Sequence, residues 1–182
     1  MADIADAAGV AVQTVYFTFH TKGDVLSSAY ELAVLGEGDP APPERQPWYV
    51  RAVAEPDVAR SVRWVVEGAG EIVGRVALLD LVVRTAAESD ADAARFLGHN
   101  EQLRADGYRA LIEHLRAKAE LRAGLTVERA THVMLLLVGP AAYRALVAEA
   151  GWSHAEWVSW TRTALLEQVF GVRDAGSGVA TD

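Results

Sequence analysis

The chain has 182 residues, of which 51% are apolar, so it can bury a substantial core and is not globally disordered. It contains no cysteine, which excludes disulfides, thiolate metal sites and cysteine nucleophiles. The net charge of −8 is unfavourable for a nucleic-acid-binding protein, because Lys and Arg contacts to phosphate supply most of the non-specific affinity.

The N-terminal twenty residues lack the basic start and uninterrupted apolar stretch of a signal peptide. The longest apolar run, 133–142, is too short to span a bilayer and contains Gly139 and Pro140. We therefore expect a cytoplasmic protein.

Two short helices, 2–8 and 12–19, are predicted at the start of the chain, with Gly9 and Val10 turning between them. A glycine between two short helices is typical of a helix-turn-helix, whose second helix enters the DNA major groove. The apolar residues expected to face inward are Ile4, Ala8, Val10, Val15 and Phe19. Those expected to face outward are Gln13, Thr14, Tyr16, Phe17 and His20.

The sequence AGVAVQTVYFTFHTKGDVL, residues 8–26, resembles the recognition segment of the TetR family of transcriptional repressors. The residues that match the family pattern are Ile4-Ala5, Ala8-Gly9-Val10, Thr14-Val15-Tyr16, Phe19, Lys22 and Leu26. The chain departs from the pattern at Ala11, Thr18 and Gly23. The resemblance implies an N-terminal DNA-binding head (1–35), a helical body (48–170), a homodimer and a small-molecule effector.

The residues that the resemblance assigns to DNA contact are Val12, Gln13, Thr14, Tyr16, Phe17, His20 and Lys22. Hydroxyl, phenol and ammonium groups suit phosphate contacts, whereas the amide of Gln13 can bond adenine in two places and apolar side chains suit a thymine methyl. For Tyr16 and Phe17 the alternative is core packing. His20 either contacts phosphate or caps the next helix.

In the family a further helix, normally with a basic arm, precedes the position of Ile4. Residues 1–35 carry one base, Lys22, against four acids. Two explanations stay open. Either Met1 lies inside a longer natural protein, or the short form is an effector-binding and dimerisation module without DNA-binding activity.

The next helix is predicted to begin after Thr21 or His20 and to end at Gly36. Residues 36–47 form a proline-rich linker, and a short helix follows at 48–54. An amphipathic pattern then extends to residue 87. Three glycines within it, each costing about 1 kcal/mol in a helix interior, predict two helices, 57–73 and 75–87, rather than one.

Three more helices complete an all-α fold. They are predicted from Ser89-Asp90 to 119–121, from Thr126 to about 150 with a bend at Pro140, and from Ser153, in a Ser-x-x-Glu capping box, to about 170. A disordered tail is expected at 171–182. The helices at 126–150 and 153–170 are expected to pair with a second subunit, as the resemblance implies, or else to pack within one chain.

Apolar and aromatic residues of the body are candidates for an effector pocket, with ordinary core packing as the alternative for each. They are Trp64, Leu79, Val83, Phe96, Leu103, Tyr108, Met134 and Leu137. The histidines lack metal-ligand spacing, and no phosphate-binding, dinucleotide or serine-hydrolase motif is present. We therefore expect no metal, no cofactor and no enzymatic activity. Asp80 is expected to make a polar contact rather than to act as a catalytic acid.

Overall fold

The computed structural model describes residues 1–36 and 40–173, and regular secondary structure in these ranges is helical, as predicted. The α-helices are α1 (Ala2–Ala8), α2 (Val12–Thr18), α3 (Lys22–Leu35), α4 (Pro47–Ala54), α5 (Val58–Ala87), α6 (Ala91–Arg116), α7 (Val127–Leu137), α8 (Pro140–Tyr143) and α9 (His154–Leu165). A 3-10 turn forms at Pro43–Arg45, and π-helical turns extend α8 over Arg144–Glu149 and α9 over Leu166–Phe170. Part of the predicted linker, 37–39, and the predicted tail from 174 onward lie outside the described residues.

Helices α1 and α2 form the expected helix pair. Gly9 ends α1 in the left-handed conformation, with φ of 66°, where a residue with a Cβ would be strained. The small core of this pair consists of Met1, Ala5 and Val15, with Ile4, Phe19 and Val25 packed against it. The expectation that Ala8 and Val10 face inward is wrong, because both are exposed at the turn between α1 and α2.

Helix α3 connects this pair to the body. Thr21, not His20, caps it: the Thr21 hydroxyl accepts from the Asp24 amide at 3.1 Å, and the Asp24 carboxylate accepts from the Thr21 amide at 2.9 Å. Near its other end, Tyr30 is buried against Phe96 of α6, with ring centroids 5.6 Å apart. Arg75 of α5 donates to the Ala33 carbonyl at 2.7 Å.

The prediction of two helices over 57–87 is wrong, because α5 is one helix of 30 residues. Its glycines make room for aromatic rings from other helices. A Cβ on Gly68 would lie 2.0 Å from Trp48, one on Gly70 would lie 2.8 Å from Trp157, and one on Gly74 would lie 3.1 Å from the Tyr143 hydroxyl. The packing of α4, α9 and α8 against α5 therefore outweighs the helix propensity lost at each glycine.

The predicted helix 126–150 is interrupted rather than bent. Helix α7 ends at Leu137, Gly139 is extended, and α8 restarts at Pro140. Proline disfavours helical geometry in the residue before it and lacks an amide donor, which accounts for the break. By length and composition alone, Val127–Glu149 could cross a membrane, but it contains this break and a third of its apolar window is buried. The fold is compatible with a soluble protein.

Helix α5 forms the centre of the body, and its apolar stripe is inward as predicted. The largest fully buried side chain among the described residues is Trp157, which belongs to the same main cluster as Ile112 and Met134. Asp80, only 1% exposed, accepts from Arg84 at 2.7 Å, and Arg84 also donates to Glu101 of α6 at 2.7 Å. The predicted polar contact is thus an ion-paired link between α5 and α6.

The end of α6 differs slightly from the prediction, since the helix stops at Arg116 instead of 119–121. Lys118, just beyond it, donates to the carbonyls of Ala52 and Val53 and to the Ser61 hydroxyl. Burial lowers the pKa of the Lys118 ammonium. The C-terminal carbonyls of α4 are satisfied in this way.

Candidate functional site

The outer face of α2 carries the side chains predicted to contact DNA. Phe17 is 88% exposed and Tyr16 is 53% exposed, so neither packs in the core. The side chains of Val12, Gln13, Thr14, His20 and Lys22 are also exposed. This small helix therefore presents an amide, hydroxyls and two aromatic rings to solvent, followed by an ammonium at the first residue of α3.

The electrostatics of this surface are unfavourable for DNA. Lys22 is the one base among residues 1–35, and the four acids of this segment are all exposed. His20 has its Nδ1 atom 3.4 Å from the Tyr16 carbonyl, so its ring lies over the end of α2 instead of capping α3. Contacts between basic side chains and phosphates supply most of a protein's affinity for DNA. Residues 1–35 on their own therefore provide little electrostatic attraction to DNA.

A cavity of about 740 Å³ lies between α3, the α4 segment, α5 and α6. Apolar and aromatic side chains dominate its lining, and α6 contributes one face of residues at helical spacing, from His99 to Leu111. This volume falls in the range of about 300–1,000 Å³ typical of small-molecule sites. Helix α3, which follows α2, forms part of the wall through Tyr30, Glu31, Val34 and Leu35.

Two of the eight predicted pocket residues line this cavity: Leu103, which is 56% exposed, and Tyr108. Trp64 lines a separate, shallower groove with Trp48 and His154. The other five are packing residues. Leu79, Val83 and Phe96 pack in a cluster around Tyr30, and Met134 and Leu137 pack in the main core.

The polar groups of the cavity are few. The Tyr108 hydroxyl donates to the Val138 carbonyl at 2.8 Å, and burial raises the pKa of Tyr108 strongly. Burial, and next the Asp80 carboxylate, raise the pKa of Tyr30. Arg104 also lines the cavity, and its charge partly offsets the rise at both phenols. The two phenols therefore stay protonated at neutral pH and can serve as hydrogen-bonding groups.

Sequence reasoning missed Tyr30, Trp48 and Arg104 as cavity residues. Tyr30 and Arg104 share no motif, and only the approach of α3 to α6 brings them together. A signal was available for Trp48, because an aromatic residue follows the proline-rich linker directly and starts a short helix. Segments that connect helices often carry binding residues, so a linker beside the helical body can close one side of a pocket.

No protein-family model matches the chain, and no curated protein or solved structure is significantly similar to it. The resemblance to the TetR family therefore rests on residues 4–26 alone.

Proposed function

We propose that this protein is a DNA-binding transcriptional regulator, a repressor of the TetR type that a small effector in the body cavity releases from its operator. The observation that carries the proposal is the outer face of α2. A phenylalanine that is 88% exposed, beside Gln13 and Tyr16, lies outside the core of the described residues and suits contact with base edges and phosphates.

Helix α3 supplies a physical connection between DNA contact and effector binding. It begins with the capping box directly after the recognition helix, and its last two turns line the cavity. Its 14 residues form a rod about 21 Å long. An occupant that displaces Tyr30 or Val34 would therefore move the N-terminal end of α3, and α2 with it.

A palindromic operator requires two copies of the chain. We propose that they pair through 126–150 and 153–170. Trp157 and Met134 of this region are fully buried within one chain, so they are unavailable for pairing. Leu136 is 69% exposed and Trp160 is 43% exposed, with Trp160 packed edge-on against Trp152 at 5.9 Å. These outward apolar side chains favour a second copy as the partner surface.

A second function is favoured by the charge of the head: an effector-binding and dimerisation module that does not bind DNA. One base against four acids in residues 1–35 is a poor match to a phosphate backbone. The core of the head is also small, with Met1, Ala5 and Val15 as its buried residues.

A duplex-binding assay distinguishes the two proposed functions. A repressor retains particular duplexes at low salt, and Lys22→Ala weakens retention of all sequences and reduces the salt dependence by about one phosphate contact per subunit. Gln13→Ala relaxes preference at one base pair instead, at about 1–3 kcal/mol. Arg109→Ala, an exposed base on α6 outside the head and the proposed pairing region, is the matched control and leaves binding unchanged. A dimer that retains no duplex would support the second function and refute the first.

A further inference from the structure

An unpaired guanidinium lines the cavity. Arg104 lies on α6, is half-buried, and its Nε atom is buried with no hydrogen-bond partner among the described residues. Arg84, on α5, contrasts with it, because Arg84 is held by both Asp80 and Glu101. Burying a charged donor without a partner is costly, so an unpaired arginine at a cavity wall indicates a ligand group that completes it.

Neighbouring groups leave Arg104 without an acceptor of its own. Tyr30 and Tyr108 are close enough for the Arg104 charge to counteract part of the rise in their pKa values. The Tyr108 hydroxyl is already committed to the Val138 carbonyl. Neither phenol carries a negative charge at neutral pH, so neither neutralises the guanidinium.

Three acids also line the cavity: Glu31, Glu44 and Asp106. All three are exposed to solvent, and Asp106 accepts from Gln102 at 3.0 Å. Water screens these carboxylates more than it screens the half-buried guanidinium. Of the charged side chains that line the cavity, Arg104 is therefore the least screened by water, and the lining also includes the apolar residues Ile72, Val73 and Leu111.

Deepening the proposed function, and resting on it for the role of the cavity, we propose that the effector is an apolar carboxylic acid. Its carboxylate pairs with Arg104, and its hydrocarbon part fills the space between α3, α5 and α6. A planar guanidinium matches a carboxylate through two parallel hydrogen bonds. A phosphate dianion would bring a second charge that one arginine does not neutralise.

Calorimetric titration of the full chain with three probes of equal chain length tests the head-group chemistry. The probes are decanoate, 1-decanol and decyltrimethylammonium. We expect decanoate to bind most tightly. Arg104→Met, which keeps the apolar stem, weakens decanoate binding by about 10- to 100-fold and changes 1-decanol binding by less than about 3-fold. Arg109→Met, an exposed arginine of the same helix that does not line the cavity, leaves all three affinities unchanged.

A thermal melt of the ligand-free variants adds a second readout. Removing an unpaired, half-buried charge should raise the melting temperature of Arg104→Met, and decanoate should then stabilise wild type but not the variant. If Arg104→Met does not fold, Arg104→Lys replaces it, with an intermediate loss of decanoate affinity because the paired hydrogen bonds are lost and the charge stays.

Three results would overturn the proposal: tighter binding of decyltrimethylammonium than of decanoate, unchanged decanoate affinity in Arg104→Met, or no binding of any decyl probe. These results are independent of DNA. Arg104-dependent decanoate binding by a chain that retains no duplex would leave the carboxylate site standing and refute the repressor. Specific duplex binding without decanoate binding would support the repressor and refute the carboxylate site.

Discussion

Replacing Gly68 with alanine tests whether α5 is built around aromatic rings. The new Cβ would lie 2.0 Å from Cγ of Trp48 and 2.3 Å from its Cδ2, whereas carbon atoms in contact are about 3.5–4.0 Å apart. Because Cγ lies on the χ2 axis, rotation of the ring about χ2 leaves it in place, so relief of the clash needs a change of χ1 or a shift of α4. The indole would have to retreat by about 1.5 Å or more, and its Nε1 bond to Gln46 Oε1, now 2.8 Å, would be strained.

Two destabilising terms and one stabilising term determine the expected change in the free energy of unfolding. Overpacking costs about 1–3 kcal/mol, and a lost side-chain hydrogen bond costs about 0.5–1.5 kcal/mol. Alanine in place of glycine returns about 1 kcal/mol of helix propensity. Gly68→Ala should therefore lower the free energy of unfolding by about 0.5–3.5 kcal/mol.

Urea denaturation followed by far-UV circular dichroism measures this change. Gly98→Ala is the matched control, because Gly98 is exposed within α6 and a Cβ there would meet nothing within 4 Å. That variant should gain up to about 1 kcal/mol from helix propensity alone. If Gly68→Ala were as stable as Gly98→Ala, Trp48 would not be packed on α5 as described, and the explanation for the unbroken helix would fail.

Three further predictions concern the proposed dimer, a helix cap and a partly buried lysine. Leu136→Glu should dissociate the dimer in sedimentation, whereas Leu78→Glu, equally exposed but on α5, should not. Hydrogen bonds from the backbone and side chain of Ser153 lower the pKa of Glu156, so the advantage of wild type over Glu156→Gln should exist above the ordinary carboxyl pKa and vanish in acid as pH falls through the lowered value. Lys118→Met should cost about 1–3 kcal/mol in urea denaturation, because the Val53 carbonyl and the Ser61 hydroxyl lose a donor and the Ala52 carbonyl keeps only the Ser61 hydroxyl.

Local signals in the sequence were sufficient where local physics decides the structure. Gly9 ends α1, Thr21 caps α3 and the Ser153 box starts α9, each through bonds to residues at most four positions away. The exposure of Tyr16 and Phe17 also follows from helical periodicity, since Val15 already occupies the inward side.

The sequence was misleading where distant side chains decide the structure. From the sequence alone, the glycines of α5 predict a break in the helix. In the structure, Trp48, Trp157 and Tyr143 fill the space beside them. An effector pocket was an expectation from the resemblance, and a list of apolar residues cannot distinguish Leu103, which lines the cavity, from Met134, which is core. That difference depends on how α3 and α6 approach each other, which periodicity does not encode.

The proposed repressor function requires residues of α2 to recognise a DNA sequence. The most direct test is selection of the 182-residue chain against a pool of random duplexes at low salt, followed by sequencing of the retained duplexes. We predict enrichment of two half-sites related by two-fold symmetry, and loss of preference at one position of each half-site with Gln13→Ala. Retained duplexes with no common sequence, or identical preferences in wild type and Gln13→Ala, would contradict the claim.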